Sequence, residues 1–290
     1  MQKLPNEVRV GPGRGGLTRL LVETPRAEAE IFLHGAHVTH FQPRGQKPVL
    51  FMSEKSLFEP GKPIRGGVPI CFPWFGARED GRPGPAHGFA RLLAWELTGA
   101  EQTADGNIEI NLRLASNAGT RTEWDGEFEA DYRVTIGAAL GLELRVRNTG
   151  SQPMRIEEAL HSYLAVSDVR KVSVEGLAGV TYADRVGLPR TETEGSTAIR
   201  ITAETDRIYL NTQSTCVVDD RGWGRRVVVE KTGSNATVVW NPWIAKAKAM
   251  PDFGDEEWPS MLCLETCNVR EQSVVLAPGQ SHTMGAVIGC

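Results

Sequence analysis

The sequence predicts an all-β protein, a large sandwich of antiparallel sheets, and three observations carry that expectation. Residues alternate with a period of two in AIRITAETDRIYL (198–210), RRVVVEKTG (225–233), ATVVWNPW (236–243) and SVVLAPGQ (273–280). Gly, Pro, Asn and Asp interrupt these runs at short intervals along the whole chain. Long amphipathic helical stretches are missing, and only 54–58 and 244–249 read as single helical turns. The stretch 131–150 reads as two strands around a tight turn at Leu140-Gly141. With no linker, repeat or change of composition, residues 1–290 are expected to form one domain. A sandwich of this length needs wide sheets, and a wide twisted sheet offers a concave cleft for a small ligand.

Composition narrows the function classes. Apolar residues make up 40% and charged residues 23%, which suits a globular protein and excludes a disordered one. The formal net charge of −4 argues against a nucleic-acid partner, which selects a broad basic surface. No apolar run is long enough to span a bilayer, so no membrane partner is expected. The first 20 residues carry no apolar stretch of the secretory kind, which points to the cytoplasm. The five cysteines, Cys71, Cys216, Cys263, Cys267 and Cys290, are odd in number and irregularly spaced, and are expected as reduced, mostly buried thiols.

Four segments combine polar chemistry with a rigid context. GKPIRGGVPICFPWFG (61–76) mixes Gly and Pro with large apolar groups, so it reads as a packed loop in which Arg65 presents a fork suited to an anion. A solvated charge is the plainer alternative for Arg65. In PAHGFARLLAWEL (85–97), a strand entered at His87 would place His87 and Arg91 on one face, either as ligand contacts or as a solvent-facing strand end. In MRIEEALHSYLAV (154–166), Ile156, Leu160, Leu164 and Val166 take one face and Glu157, His161 and Tyr163 the other. His161 is thereby aimed away from the apolar side, although a lone strand histidine is more often structural. In PSMLCLETCNV (259–269), Met261, Cys263, Glu265 and Cys267 share a face, and soft surroundings would make Glu265 a stronger base. A buried Glu265 paired with an arginine is the alternative.

Further polar candidates are weaker. Trp240, Asn241 and Trp243 suit sugar faces and hydroxyls but equally suit packing, and Asp206 can accept from hydroxyls or pair with Arg207. His34, His37 and His40 are three residues apart, a spacing that fits neither a strand face nor a zinc-helix motif, so no metal site is expected there.

Together these segments resemble the hexose-6-phosphate mutarotases, or glucose-6-phosphate 1-epimerases, of the aldose 1-epimerase superfamily. The resemblance rests on IRGGVPICFPWFG, HGFAR, EEALHSYLAVSD, ETDRIYLN, VVWNPWIAKAKAMPDFGDEEWPSMLCLET and LAPGQS, in the family's order through nearly the whole chain. It implies a β-supersandwich fold and a cofactor-independent exchange of α and β anomers of a phosphorylated hexose. It implies His161 as general acid, Glu265 as general base, and Arg65, His87, Arg91 and Asp206 as substrate contacts, with the two arginines assigned to the 6-phosphate. The expected partner is a small phosphosugar, and a monomer is expected, although the sequence does not fix the oligomeric state. The irregular stretch TRTEWDGEFEADY (120–132) leaves the sugar preference open. A protonated His161, supported by Glu157 on the same face, is expected beside an ionised Glu265. The competing readings are a non-catalytic carbohydrate-binding protein, a mutarotase for unphosphorylated aldoses, and a metal-dependent enzyme built on the histidine cluster.

Overall fold

A computed structural model describes residues 4–290. In chain order the strands are β1 (Val8–Pro12), β2 (Thr18–Glu23), β3 (Ala27–Phe32), β4 (His37–Pro43), β5 (Ile70–Cys71), β6 (Glu96–Gln102), β7 (Ile108–Ala115), β8 (Phe128–Ile136), β9 (Leu140–Asn148), β10 (Met154–Ile156) and β11 (Glu158–Leu160). They continue with β12 (Tyr163–Ala165), β13 (Val172–Glu175), β14 (Thr181–Asp184), β15 (Arg190–Thr193), β16 (Thr205–Leu210), β17 (Cys216–Asp220), β18 (Arg225–Thr232), β19 (Ala236–Asn241), β20 (Met261–Asn268), β21 (Val274–Leu276) and β22 (Ser281–Gly289). Two short helices, α1 (Ala118–Glu123) and α2 (Trp243–Ala249), interrupt them.

The architecture is an all-β sandwich dominated by two antiparallel sheets of eight strands. One, the scaffold sheet, runs β13-β17-β18-β22-β9-β8-β7-β6. The other, the site sheet, runs β15-β14-β16-β19-β20-β11-β5, with β12 also paired to β20. A four-stranded sheet β1-β2-β3-β4 and the pair β10-β21 complete the fold. One continuous apolar core runs from Val8 to Ile288. No helix among the described residues is long and apolar enough to cross a membrane.

Alternation accounts for the scaffold sheet directly. Ile108, Ile110 and Leu112 of β7, Tyr132 and Val134 of β8, and Leu142 and Leu144 of β9 are buried at every second position. The opposite face carries cross-strand ion pairs such as Arg113–Asp131 at 2.7 Å and Arg133–Glu143 at 2.7 Å.

The turn between β8 and β9 is at 137–139, and Leu140-Gly141 already belongs to β9; Leu140 is fully buried, so the core draws it into the ladder. Of 198–210 only β16 is a strand, and Ile199 makes one isolated bridge to Val174. At 54–58 there is one hydrogen-bonded turn and no helix: the Ser56 amide donates to the Ser53 carbonyl at 3.1 Å, and the amides of Glu54 and Lys55 donate to Glu257 Oε1 (2.8 Å) and Ser53 Oγ (3.2 Å). The turn expected at 244–249 is α2. Helix α1 was not anticipated, although Asn117 caps it by accepting from the amides of Gly119 and Thr120.

Candidate functional site

Strand register builds the site. Across the site sheet, Ile208 lies opposite Val238 and Val238 opposite Glu265. The next row runs Asp206, Trp240, Cys263 and Tyr163. The pairs Leu160–Thr266 and Tyr163–Cys263 hold the register through the break between β11 and β12, so His161 stands opposite Glu265. His161 Nε2 lies 3.3 Å from Glu265 Oε1. Both border a cavity of about 300 Å³, together with Arg65, His87, Asp206 and Trp240. That volume suits a single small polar ligand.

The cavity is a place of costly burial. Glu265 is 1% exposed and His161 6%. Burial, reinforced by Asp206, pushes the Glu265 carboxyl well above its usual range. Burial pushes His161 well below its usual value, and the neighbouring His87, Arg91 and Arg65 act in the same direction. The His161 ring stacks on Tyr163 at 4.8 Å and meets the edge of Trp240 at 6.1 Å, which fixes its plane. The expectation that Glu157 supports a protonated His161 is not met. Glu157 instead accepts from the backbone amides of Phe75 (2.8 Å) and Arg270 (2.6 Å), joining two loops that flank the cavity.

The HGFAR segment is not a strand. His87 and Gly88 are both left-handed, Ala90–Leu92 is a 3-10 turn, and the next strand begins at Glu96. A Cβ on Gly88 would lie 2.0 Å from the Phe72 carbonyl oxygen, so close backbone approach dictates the bend. His87 consequently reaches the cavity while Arg91 does not. Arg91 is buried behind it and donates to the Ala86 carbonyl at 2.8 Å. His87 is held neutral, down at about 3, by burial and by the arginines Arg91, Arg65 and Arg270. Its Nδ1 accepts from the Gly76 amide at 3.3 Å, which leaves Nε2–H as the free donor.

Arg65 does border the cavity, and its charge is already engaged. Its Nε and Nη2 donate to Asp252 at 3.2 and 3.1 Å, and Nη1 donates to the Tyr163 hydroxyl at 2.9 Å. The histidines at 34 and 37 position this loop. Their Nε2 atoms bond the carbonyls of Lys62 and Gly66, each at 2.7 Å, and His40 faces Glu28 at 3.4 Å. Asn241 is structural too, donating to the carbonyls of Trp258 and Met261, and Trp243 packs on Trp258.

Three cationic residues at the cavity escaped the sequence reading: Arg185, Lys246 and Arg270. Arg185 follows β14 and is exposed. Lys246 comes from α2 and pairs with Glu204 at 3.1 Å. Arg270, left-handed at φ 57°, bonds Glu79 at 2.9 Å. Two of the three lie in irregular segments where no periodicity assigns a direction. The left-handed backbone of His87 and Arg270, both at the cavity, places strain where a ligand would benefit from fixed side chains. All five cysteines are free, and only Cys290 is exposed.

Fold and cavity define an all-β sandwich protein in which a buried imidazole and carboxyl face one another beside a cavity lined partly by cationic side chains. The family described as Aldose 1-epimerase matches residues 18–288, and the chain belongs to it. A relative from Cenchrus ciliaris, named "Putative glucose-6-phosphate 1-epimerase", is 38% identical over 87% of this chain and 78% of its own length. One of the same name from Escherichia coli K12 is 33% identical over 92% of this chain and 88% of its own. The crystal structure of a "putative mutarotase (YeaD)" from Salmonella typhimurium superposes with a TM-score of 0.91 at 29% identity, covering 100% of this chain and 95% of that one.

Proposed function

We propose that this protein interconverts the α and β anomers of a hexose 6-phosphate, glucose 6-phosphate foremost. The observation that carries the reading is the 3.3 Å approach of His161 and Glu265 across one cavity with cationic residues around it. Glu265 takes the proton of the anomeric hydroxyl while His161 gives one to the ring oxygen. The C1–O5 bond breaks, the aldehyde turns about C1–C2, and reclosure with the roles exchanged delivers the other anomer. Each positioned acid or base contributes ~10²–10⁴-fold.

Burial favours the neutral carboxyl and the neutral imidazole, so the working state forms as sugar hydroxyls hydrogen-bond to Glu265 and its proton passes to His161. Asp206 and His87 supply an acceptor and a neutral donor for the remaining hydroxyls. The 6-phosphate is met by Arg270, Arg185 and Lys246, with Arg65 beside them, while Arg91 acts from behind through its field. The names of the relatives, conjoined with this cationic rim, favour a phosphorylated over a free sugar. The continuous core supports residues 1–290 acting as one domain, and the free, mostly buried cysteines fit the reducing cytoplasm.

Exchange spectroscopy by NMR on glucose, galactose and mannose 6-phosphates beside the free sugars tests the reading. Exchange well above the buffer rate is expected, fastest for a phosphorylated hexose. Exchange at the buffer rate for every sugar would leave only a binding protein.

A further inference from the structure

The proposed anomer exchange makes no use of Cys263, which lies on the same face of β20 as Glu265, two residues away. The His161 nitrogen, the Cys263 sulfur and a Glu265 oxygen lie within 4.8 Å of one another. This is the one group of three or more His, Cys, Asp or Glu residues with metal-ligand spacing among the described residues. The Glu265 Oε2 and His161 Nδ1 atoms are buried and have no hydrogen-bond partner among the described residues. A buried carboxyl oxygen left without a partner is an uncommon and costly arrangement.

We infer that a thiophilic divalent cation of the zinc class binds His161, Cys263 and Glu265 and silences the acid–base pair. Zinc holds N and O at about 2.0–2.2 Å and S at about 2.3 Å, so tetrahedral ligands sit roughly 3.3–3.8 Å apart. His161 Nε2 and Glu265 Oε1 already meet that at 3.3 Å, and the sulfur, within 4.8 Å of both, needs to close by no more than about 1 Å. Three protein ligands leave the fourth position to the cavity, where water or a sugar hydroxyl completes the shell. The thiol proton leaves to solvent, because a coordinated thiol is held as thiolate even where burial otherwise keeps it protonated. The metal occupies the lone pairs that His161 and Glu265 need for proton transfer, so metal and catalysis exclude one another. Mg²⁺, which demands octahedral oxygen ligands, does not fit this set.

The test uses the full chain in a Cys290→Ser background, which removes the one exposed thiol. Co²⁺ is added at buffered free concentration. A thiolate-to-cobalt charge-transfer band rising to one equivalent is expected, and Zn²⁺ should displace the Co²⁺ and inhibit anomer exchange. Cys263→Ser, close to isosteric, should keep basal exchange, which also reports its folding. It should lose the band and weaken zinc inhibition more than about tenfold. Absence of the band, its survival in Cys263→Ser, equal inhibition of both proteins, or equal inhibition by Mg²⁺ would each overturn the inference. Metal binding itself does not depend on the proposed function, whereas the silencing does. A Cys263-dependent band on a chain that exchanges no anomers would sink the function and leave the site standing.

Discussion

The two eight-stranded sheets solve different problems with the same hydrogen-bonding pattern. The scaffold sheet takes its long strands β7, β8 and β9 in sequence order, one face apolar and the other laced with ion pairs. The site sheet gathers strands from distant parts of the chain, most of them short, and β19 and β20 are buried on both faces. Its buried groups include Glu158, His161 and Glu265, which no apolar core would choose. One sheet supplies stability, and the other spends some of it on chemistry.

Substitutions break that contrast from both sides. His161→Gln and Glu265→Gln should each cut anomer exchange by ~10²-fold or more. Glu265→Gln should at the same time leave the melting temperature nearly unchanged, because the amide is isosteric with the neutral carboxyl that burial favours. Exchange spectroscopy and thermal denaturation on the same sample read both effects, and a large fall in melting temperature would make Glu265 structural. Leu144→Ala in β9 should do the reverse, costing about 2–5 kcal/mol in urea unfolding while the rate per folded molecule stays put.

Smaller effects sharpen the picture at the cavity mouth. Arg270→Ala should raise the KM for glucose 6-phosphate by roughly 10–100-fold, the scale of a lost charge-assisted hydrogen bond, and change that for free glucose little. Equal losses for both sugars would take the phosphate away from Arg270. Glu79 competes for the same guanidinium at 2.9 Å, so Glu79→Gln should lower the phosphosugar KM by about two- to fivefold, within the worth of a partly exposed ion pair.

The smallest prediction concerns a tie between the sheets. His282 of β22 reaches Glu158 of β11 at 3.2 Å, and that hydrogen bond raises the histidine above its ordinary 6.5. A raised histidine stabilises fully below its unfolded value, and the contribution fades as pH climbs through the folded one. Stability should therefore decline modestly as pH rises above about 6.5, and His282→Gln should flatten that slope in denaturant titrations. An unchanged slope would remove His282 from the linkage.

Much of the site was legible as alternation. Glu265, Asp206 and His161 sit on regular or nearly regular strands, where a period of two assigns each side chain a face. The misjudged positions lie where the backbone is left-handed or irregular. A strand pattern puts His87 and Arg91 on one face, but the close approach of Gly88 to Phe72 turns one into the cavity and the other behind it. Arg270 was missed because its direction depends on Glu157, more than a hundred residues earlier, holding its amide. Glu157 looked like a partner for His161 because a face was all that the pattern disclosed.

What the sequence determined alone was the all-β class, the alternating core and the ordered motifs that mark the family. These are local properties, written in side-chain period and in the residues that turns demand. The tertiary structure alone decided that β11 and β20 pair in the register that sets an imidazole against a carboxylate. It also decided that burial would drive both toward their neutral forms, since desolvation depends on neighbours brought from all along the chain.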